Sequence, residues 1–200
     1  MPGLRVADLP ASERRAAAAV LARGMRDNPL HVAAYGPSPE RREATHRRLM
    51  TAFLRSTRHD RPIGVWRDGR LVACAGAVSD GRCRPGIGRV VVTLPTLARL
   101  GPGTAIRVGR WARAWLDRDP DTPHVHLGPL AVDRDLQGRG IGSLLLAEHC
   151  RRLDASGSPG YLETDRPENV RFYARQGYDV VGEACVIGVR CWFMWREPRR

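Results

Sequence analysis

The sequence of 200 residues is 42% hydrophobic, which suffices for one buried core, so we expect a single domain over residues 1–200. No apolar run reaches the roughly eighteen residues that a membrane span needs, and the start of the chain lacks a secretory hydrophobic region, which favours a cytoplasmic protein with no membrane contact. The formal charge of +12 comes from 33 basic residues, all arginine and spread along the chain, so it does not predict a nucleic-acid partner, although it favours an anionic cofactor.

The first quarter of the chain predicts a short strand followed by two helices. Residues Leu4 to Pro10 are typical of a strand and turn, and the alanine-rich segment after them predicts a helix that runs to about Asp27. Asn28-Pro29 is expected to end that helix. A second helix is predicted from Pro37-Ser38-Pro39-Glu40 through Phe53, because apolar residues there recur at spacings of three and four.

A hairpin and a helical insertion are predicted next. Asp68-Gly69 separates two apolar runs, and this dipeptide is a strong hairpin signal because both residues tolerate a positive φ. Residues from about 93 to 118 are expected to form the insertion. Trp111 and Trp115 stand one helical turn apart within it, either as core packing or as the wall of a ligand pocket.

The second half of the chain alternates strands with helices. Residues 124–132 predict a strand, in which Pro129 cannot donate to a β-ladder and therefore marks a bulge or a splayed edge. An amphipathic helix with His149 on its solvated face follows, and then a strand at 161–164. Because a helix joins these two strands, they are expected to be parallel. A helix from Pro167 and two final strands complete an α/β domain with a mixed sheet.

A glycine-rich turn, Gln137 to Ser143, stands between the strand that ends at Val132 and the following helix. Free N–H groups of a first helical turn point outward at the positive end of the helix dipole, so such a turn can bind phosphate. The spacing also nearly fits the GxGxxG of a dinucleotide site, with Glu163 twenty residues beyond. Against a dinucleotide site, five residues separate the strand from the first glycine, and little chain follows for a doubly wound half-sheet.

Two motifs resemble those of the GNAT acyltransferase superfamily. Residues 132–142 are similar to its acetyl-CoA signature Q/R-x-x-G-x-G/A, matched at Gln137, Gly140 and Gly142. Residues 169–178 are similar to its helix N-x-x-F-Y-x-x-x-G-F/Y. The resemblance implies a central mixed sheet with splayed parallel strands, flanked by helices, and an acetyl-CoA-dependent N-acetyltransferase that acts on a primary amine. Within the superfamily, the second half looks nearest to puromycin N-acetyltransferases, whereas the first half departs from them.

The resemblance also implies where acetyl-CoA binds. The pantetheine arm would lie between the splayed strands and pair with the backbone of Leu130 and Val132, while N–H groups from Gly138 to Ser143 bind the pyrophosphate. Asn169 would contact the cofactor or satisfy local amides instead. The cofactor-binding residues implied in this way are Leu130, Ala131, Val132, Gln137, Gly138, Arg139, Gly140, Ile141, Gly142, Ser143, Asn169 and Tyr173.

Acetyl transfer to an amine needs groups that move protons. An alkylamine with a pKa of about 10.4 is protonated at neutral pH, so it must lose a proton before it attacks the thioester. Glu163 and His126 are the alternative bases, and ordered water alone is a third possibility. Tyr173 would protonate the departing thiolate, or else it only packs against its helix neighbours.

The acceptor is expected to be a small primary amine with an aromatic or apolar face, such as an aminonucleoside or another antibiotic amine. The alternatives are a catalytically silent acyl-CoA-binding sensor or scaffold and a nucleic-acid-associated protein. Tyr173 favours the enzyme over the silent module. No metal site is predicted, because the five cysteines are scattered and form no ligand spacing with the histidines. The sequence leaves open the acceptor, the acyl length and the choice between a monomer and a homodimer.

Overall fold

The computed structural model describes residues 3–56, 62–79 and 95–199 of the chain. Seven strands form one sheet in the order β1-β2-β3-β4-β5-β7-β6. The strands are β1 (Leu4–Asp8), β2 (Ile63–Arg67), β3 (Arg70–Ser79), β4 (Val125–Val132), β5 (Gly160–Thr164), β6 (Asp179–Val186) and β7 (Val189–Arg196). The helices are α1 (Arg14–Gly24), α2 (Pro29–Tyr35), α3 (Pro39–Ser56), α4 (Pro102–Leu116), α5 (Ile141–Ser156) and α6 (Pro167–Ala174). The sheet is mixed, as predicted, because β4 and β5 are parallel and the other described pairs are antiparallel.

The local signals for turns and helix ends were correct except at Pro29. Asp68 and Gly69 adopt φ values of 50° and 77°, the left-handed geometry that a tight hairpin between β2 and β3 requires. At Asn28-Pro29 the sequence predicted only the end of a helix. In the structure Pro29 also begins a further helix, α2, which was not predicted. Proline suits a first helical position, where its missing N–H would have no partner inside the helix. Residues 93 and 94 of the predicted insertion lie outside the described residues, and α4 accounts for most of the remainder.

The two parallel strands separate after a short contact. The pairing of β3 with β4 passes from Ala75↔Leu130 to Ala77↔Leu127, so β4 carries one extra residue at the predicted irregularity of Pro129. The ladder between β4 and β5 contains Val125↔Gly160 and His126↔Tyr161, and no pair is formed further along the described strands. A gap therefore opens between β4 and β5, as the family resemblance implied.

Helices cover both faces of the sheet. On one face, α5 and α6 pack over a core that includes Leu145 and Leu162. On the other face, α1 and α3 pack over β2 and β3 through residues such as Leu21, Leu54 and Trp66, and α2 with α4 covers the region of β6 and β7. No helix among the described residues has the length and apolar composition that crossing a membrane demands.

Gly24, the last residue of α1, lies directly against the end of β4. A Cβ atom at this position would overlap the carbonyl oxygen of Val132. We expect Gly24→Ala to lower the free energy of unfolding by about 1–3 kcal/mol, although alanine is the better helix former. The matched control is Gly109→Ala in α4, where a Cβ meets no described atom within 4 Å and stability should rise by about 0.5–1 kcal/mol. Urea unfolding measures both changes, and equal stabilities would contradict the close contact.

His149 is buried, which corrects the prediction that it lies on the solvated face of its helix. The side chain follows Leu146 by three residues and precedes Leu153 by four, so it shares their apolar face. Its Nε2 atom lies 3.2 Å from the hydroxyl oxygen of Tyr178. Burial lowers the pKa of His149 from 6.5 to about 4, and the nearby cation of Arg196 acts in the same direction.

This lowered pKa predicts acid sensitivity of the fold. Below about pH 6.5 an unfolded histidine binds a proton that folded His149 takes up only near pH 4. The contribution of His149 is therefore fully present above pH 6.5 and is lost as the pH falls towards 4, by about 2 kcal/mol between pH 7 and pH 5. His149→Gln removes the titrating group. The unfolding free energy of this variant should therefore fall less between pH 7 and pH 5 than that of the original protein. Parallel pH profiles of the variant and the original protein would contradict this origin.

Candidate active site

The edge of β4 that faces the gap is the first part of the site. Leu130, Ala131 and Val132 lie beyond the last residue that pairs with β5, so no described strand occupies that edge beside them. The side-chain amide of Gln137 donates to the carbonyl oxygen of Val132 at 3.2 Å and to that of Gly24 at 2.8 Å. Gln137 therefore fixes the end of β4 against α1, a contact that the sequence motif did not reveal.

A row of backbone N–H groups at the start of α5 is the second part. Gly138 and Gly140 have φ values of 74° and 76°, which turn the chain sharply in front of the helix. The N–H groups of residues 138–142 have no hydrogen-bond partner among the described residues, whereas Ser143 donates to the carbonyl of Gly140 at 3.1 Å. Arg139 is exposed beside them. Five successive free donors at the positive end of a helix dipole form a site suited to an anion.

Glu163 and His126, predicted as alternative bases, contact one another. His126 Nε2 lies 2.8 Å from Oε2 of Glu163. The side chain of Glu163 is 5% exposed and that of His126 is 20% exposed. The second oxygen, Oε1 of Glu163, is buried and has no hydrogen-bond partner among the described residues. Glu163 thus has one anchored oxygen and one that is free to accept a proton.

Tyr173 is a buried phenol at the edge of the α5 and α6 core. Burial raises the pKa of Tyr173 above its usual value, and the carboxylates of Asp165 and Glu163 raise it further. Its ring packs against Phe172 and Tyr178, with centroid distances of 5.1 and 6.0 Å. The phenol therefore stays protonated at neutral pH, and it lies close enough to Glu163 to be influenced by that charge.

Asn169 lies in the first turn of α6. Its side-chain amide donates to Oγ1 of Thr164 at 3.2 Å, which is the local role that the sequence offered as one alternative. This bond connects the start of α6 to the end of β5. The amide oxygen of Asn169 remains available for a ligand, since the described contact uses only the nitrogen.

Asp119 and His124 join this site, and sequence analysis missed Asp119. Oδ1 of Asp119 lies 3.3 Å from Nδ1 of His126 and 3.4 Å from Nε2 of His124. Asp119 belongs to the connection between α4 and β4, where no periodic pattern indicates which way a side chain points. The closely spaced pair His124 and His126 was the available signal. These three residues form a group whose donor atoms could hold a metal ion.

Three tryptophans, Trp66 and the α4 pair Trp111 and Trp115, are largely packing residues. Trp66 is buried, and its Nε1 atom donates to the carboxylate of Glu13 at 3.0–3.1 Å, on a strand two positions from β4. Trp111 contacts His31 with a centroid distance of 5.1 Å. Trp115 contacts Phe193 at 5.7 Å. Core packing thus accounts for Trp66, and for most of the contacts of the α4 pair.

A small cavity lies on the face of the sheet that carries the Glu163 side chain. Its volume is about 240 Å³, and its walls include Tyr161 and Phe193. Tyr161 is two residues before Glu163, and Phe193 lies directly opposite Glu163 on β7, so both side chains share its face. Pro120, Arg118 and residues 181–183 complete the lining. The cavity offers mostly apolar walls on the face of the sheet that carries Glu163.

Solved structures of other proteins share this architecture. An acetyltransferase from Corynebacterium glutamicum, described as histone acetyltransferase HPA2 and related acetyltransferase, is 17% identical with a TM-score of 0.71, over 99% of this chain and 98% of that chain. Drosophila melanogaster polyamine N-acetyltransferase is 15% identical with a TM-score of 0.67, over 97% and 99% of the two chains. The paia N-acetyltransferase of Thermoplasma acidophilum, solved in complex with coenzyme A, is 14% identical with a TM-score of 0.58, over 97% and 98%.

At these identities the structural matches show a common fold, whereas a family model gives the more specific result. The model of the acetyltransferase (GNAT) family matches residues 29–178. This range includes the glycine-rich turn, the gap between β4 and β5, and the helix that carries Tyr173. Since the match covers well over half of the sequence, the chain belongs to the GNAT acetyltransferase family.

Proposed function

We propose that this protein is an acetyl-CoA-dependent N-acetyltransferase that acetylates a small primary amine. The observation that carries the proposal is the row of free N–H groups of residues 138–142, next to a strand edge without a partner. Pyrophosphate matches the first feature, because its oxygens accept hydrogen bonds at a helix N-terminus. An extended pantetheine arm, with amide groups of its own, matches the second.

The residues fit the cofactor in a definite order. Gly138 to Gly142 would hold the pyrophosphate, with Arg139 adding positive charge, and the backbone of Leu130 to Val132 would hold the pantetheine arm. Bound acetyl-CoA supplies an acetyl group activated as a thioester. Ser143 and the amide nitrogen of Gln137 already have internal partners, so we assign them to shaping the turn.

We assign proton removal to Glu163 and proton donation to Tyr173. Oε1 of Glu163 accepts the proton of the incoming ammonium, directly or through water, while His126 holds Oε2. As the nitrogen bonded to the acetyl carbon of the thioester and the carbon–sulfur bond broke, the nitrogen would give up a second proton, and this proton would replace the one that Tyr173 gives to the sulfur. Tyr173 donates its phenolic proton to the leaving sulfur. His126 is a positioning residue in this scheme, because its Nε2 atom is committed to Glu163.

The acceptor that we favour carries an apolar or aromatic face. The cavity on the face of the sheet that carries Glu163 has Tyr161, Phe193 and Pro120 in its walls, and burying an aromatic group there contributes a few kcal/mol, about 25 cal/mol per Å². Puromycin-like aminonucleosides are the first candidates, in line with the resemblance of the second half of the sequence. Glu183 also lines the cavity, but its carboxylate is paired with Arg190 at 2.6 Å, so it is a poor anchor for a polycation.

The cofactor assignment predicts a thermal shift that depends on the turn. Acetyl-CoA should raise the melting temperature, since a ligand specific to the folded state stabilises it, and NAD should not. Gly140→Asp should abolish the shift, because its carboxylate repels pyrophosphate. Gly157→Asp is the matched control, since Gly157 also has a positive φ, 62°, and lies at the opposite end of α5. An equal shift in both folded variants would remove the assignment.

The acceptor is tested by initial rates of thiol release over a set of amines. The set should contain aromatic aminonucleosides, aminoglycosides, agmatine, a polyamine and peptide N-termini. We expect the highest kcat/KM for an aromatic amine, and a higher value for polycations would overturn the acceptor model while leaving acetyl transfer intact. Binding of acetyl-CoA without turnover on any amine would favour the silent acyl-CoA-binding module.

A further inference from the structure

Asp119, His124 and His126 present three donor atoms to one point at the base of β4. Oδ1 of Asp119 lies 3.3 Å from His126 Nδ1 and 3.4 Å from His124 Nε2, and all three atoms lie within 4.8 Å of one another. The side chains of Asp119, His124 and His126 are 9%, 2% and 20% exposed. The group is therefore largely enclosed, and His126 is its most accessible member.

In each histidine, the ring nitrogen that points away from Asp119 makes a hydrogen bond of its own. That bond indicates which tautomer the neutral ring adopts. His124 Nδ1 lies 2.8 Å from the carbonyl oxygen of Thr122. Since a carbonyl only accepts, Nδ1 carries a proton, and in the neutral ring Nε2 holds the lone pair. His126 Nε2 likewise donates to the carboxylate of Glu163 at 2.8 Å, so in the neutral ring Nδ1 holds the lone pair. Two lone pairs and one carboxylate oxygen therefore converge.

Three acceptor atoms that converge in this way form a ligand set suited to a cation. A proton would join only two of the three atoms. Two ligand atoms of a tetrahedral zinc ion lie about 3.3 Å apart when each metal–ligand distance is about 2.0–2.1 Å. The distances from Asp119 Oδ1 to the two histidine nitrogens, 3.3 and 3.4 Å, match this value. The outer bonds to Thr122 and Glu163 are also those that orient histidine ligands at metal sites.

We propose that Asp119, His124 and His126 bind one divalent metal ion of the zinc class, with the fourth position left to water. The ligand set suits zinc, since two imidazoles and one carboxylate with an open position are a common arrangement for that ion. The neighbouring cation of Arg118 is held by Ala114, whose carbonyl it contacts at 3.1 Å, and it lies over the ring of Phe193. The metal would join the α4–β4 connection to β4.

The test is metal binding by the untagged chain after treatment with EDTA, without any acyl donor. Cys83→Ser and Cys185→Ser should be present throughout, so that thiols do not contribute. Zinc titration against a chromophoric chelator should give one ion per chain with a raised melting temperature, and cobalt should give the visible spectrum of a four-coordinate site.

Asp119→Asn and His124→Gln should weaken zinc binding by at least about 100-fold, and His149→Gln, another buried histidine, should not. Asp119→Asn keeps the shape of the side chain, so it tests the site even if His124→Gln fails to fold. Absence of stoichiometric binding, or undiminished binding by Asp119→Asn, would overturn the proposal. The readout is independent of acetyl transfer, so failure of the proposed function would not affect it.

Discussion

Tyr173→Phe should lower the turnover of amine acetylation by about 10²- to 10⁴-fold, the usual size of positioned acid catalysis, with little change in the affinity for coenzyme A. The phenyl ring keeps the contacts with Phe172 and Tyr178, so the variant loses only the hydroxyl group. That hydroxyl makes no hydrogen bond within the described part of the chain, and its burial keeps it protonated at neutral pH. Steady-state kinetics with saturating acetyl-CoA measure the change.

Tyr178→Phe is the matched control for this substitution. Tyr178 is also buried and sits within ring contact of Tyr173, but its hydroxyl faces His149 at 3.2 Å on the inner side of the core. Loss of that hydrogen bond should reduce stability by about 0.5–1.5 kcal/mol and leave turnover largely unchanged. Full turnover in Tyr173→Phe, or equal losses in the two variants, would make Tyr173 a packing residue.

The sequence predicted the parts of the fold that local chemistry determines. Asp68-Gly69 produced the hairpin because both residues adopt a positive φ cheaply. Pro129 produced the irregularity in β4 because it lacks an N–H for the ladder. The crossover helix α5 made β4 and β5 parallel. The helix α2 was missed because Pro29 is compatible both with the end of one helix and with the start of another.

The site could be predicted only in part, because its chemistry depends on contacts between distant residues. Glu163 and His126 are 37 positions apart, and only the pairing of β4 with β5 shows that they are one hydrogen-bonded unit and not competing candidates. Asp119 reaches His126 from an irregular connection whose path is set by the packing of α4. Burial likewise decides that Tyr173 stays protonated, and no spacing pattern reveals a pKa.

Glu163→Gln should lower turnover by about 10²-fold or more, because a carboxamide cannot accept the proton of the ammonium. Glutamine has the same shape, and its carbonyl oxygen can still accept the hydrogen bond from His126 that Oε2 accepts at 2.8 Å. The affinity for acetyl-CoA should therefore remain, and the loss should appear in kcat more than in KM.

Glu183→Gln is the matched control for Glu163→Gln, since Glu183 lines the cavity proposed for the acceptor and its side chain is 43% exposed. If Glu163 acts as the proton acceptor, removing the charge of Glu183 should change kcat by less than about threefold, the range expected for a solvated ion pair. Equal losses in the two variants would mean that the cavity needs negative charge and not a base. Undiminished kcat in Glu163→Gln would remove Glu163 as the base and leave His126 or ordered water in that role.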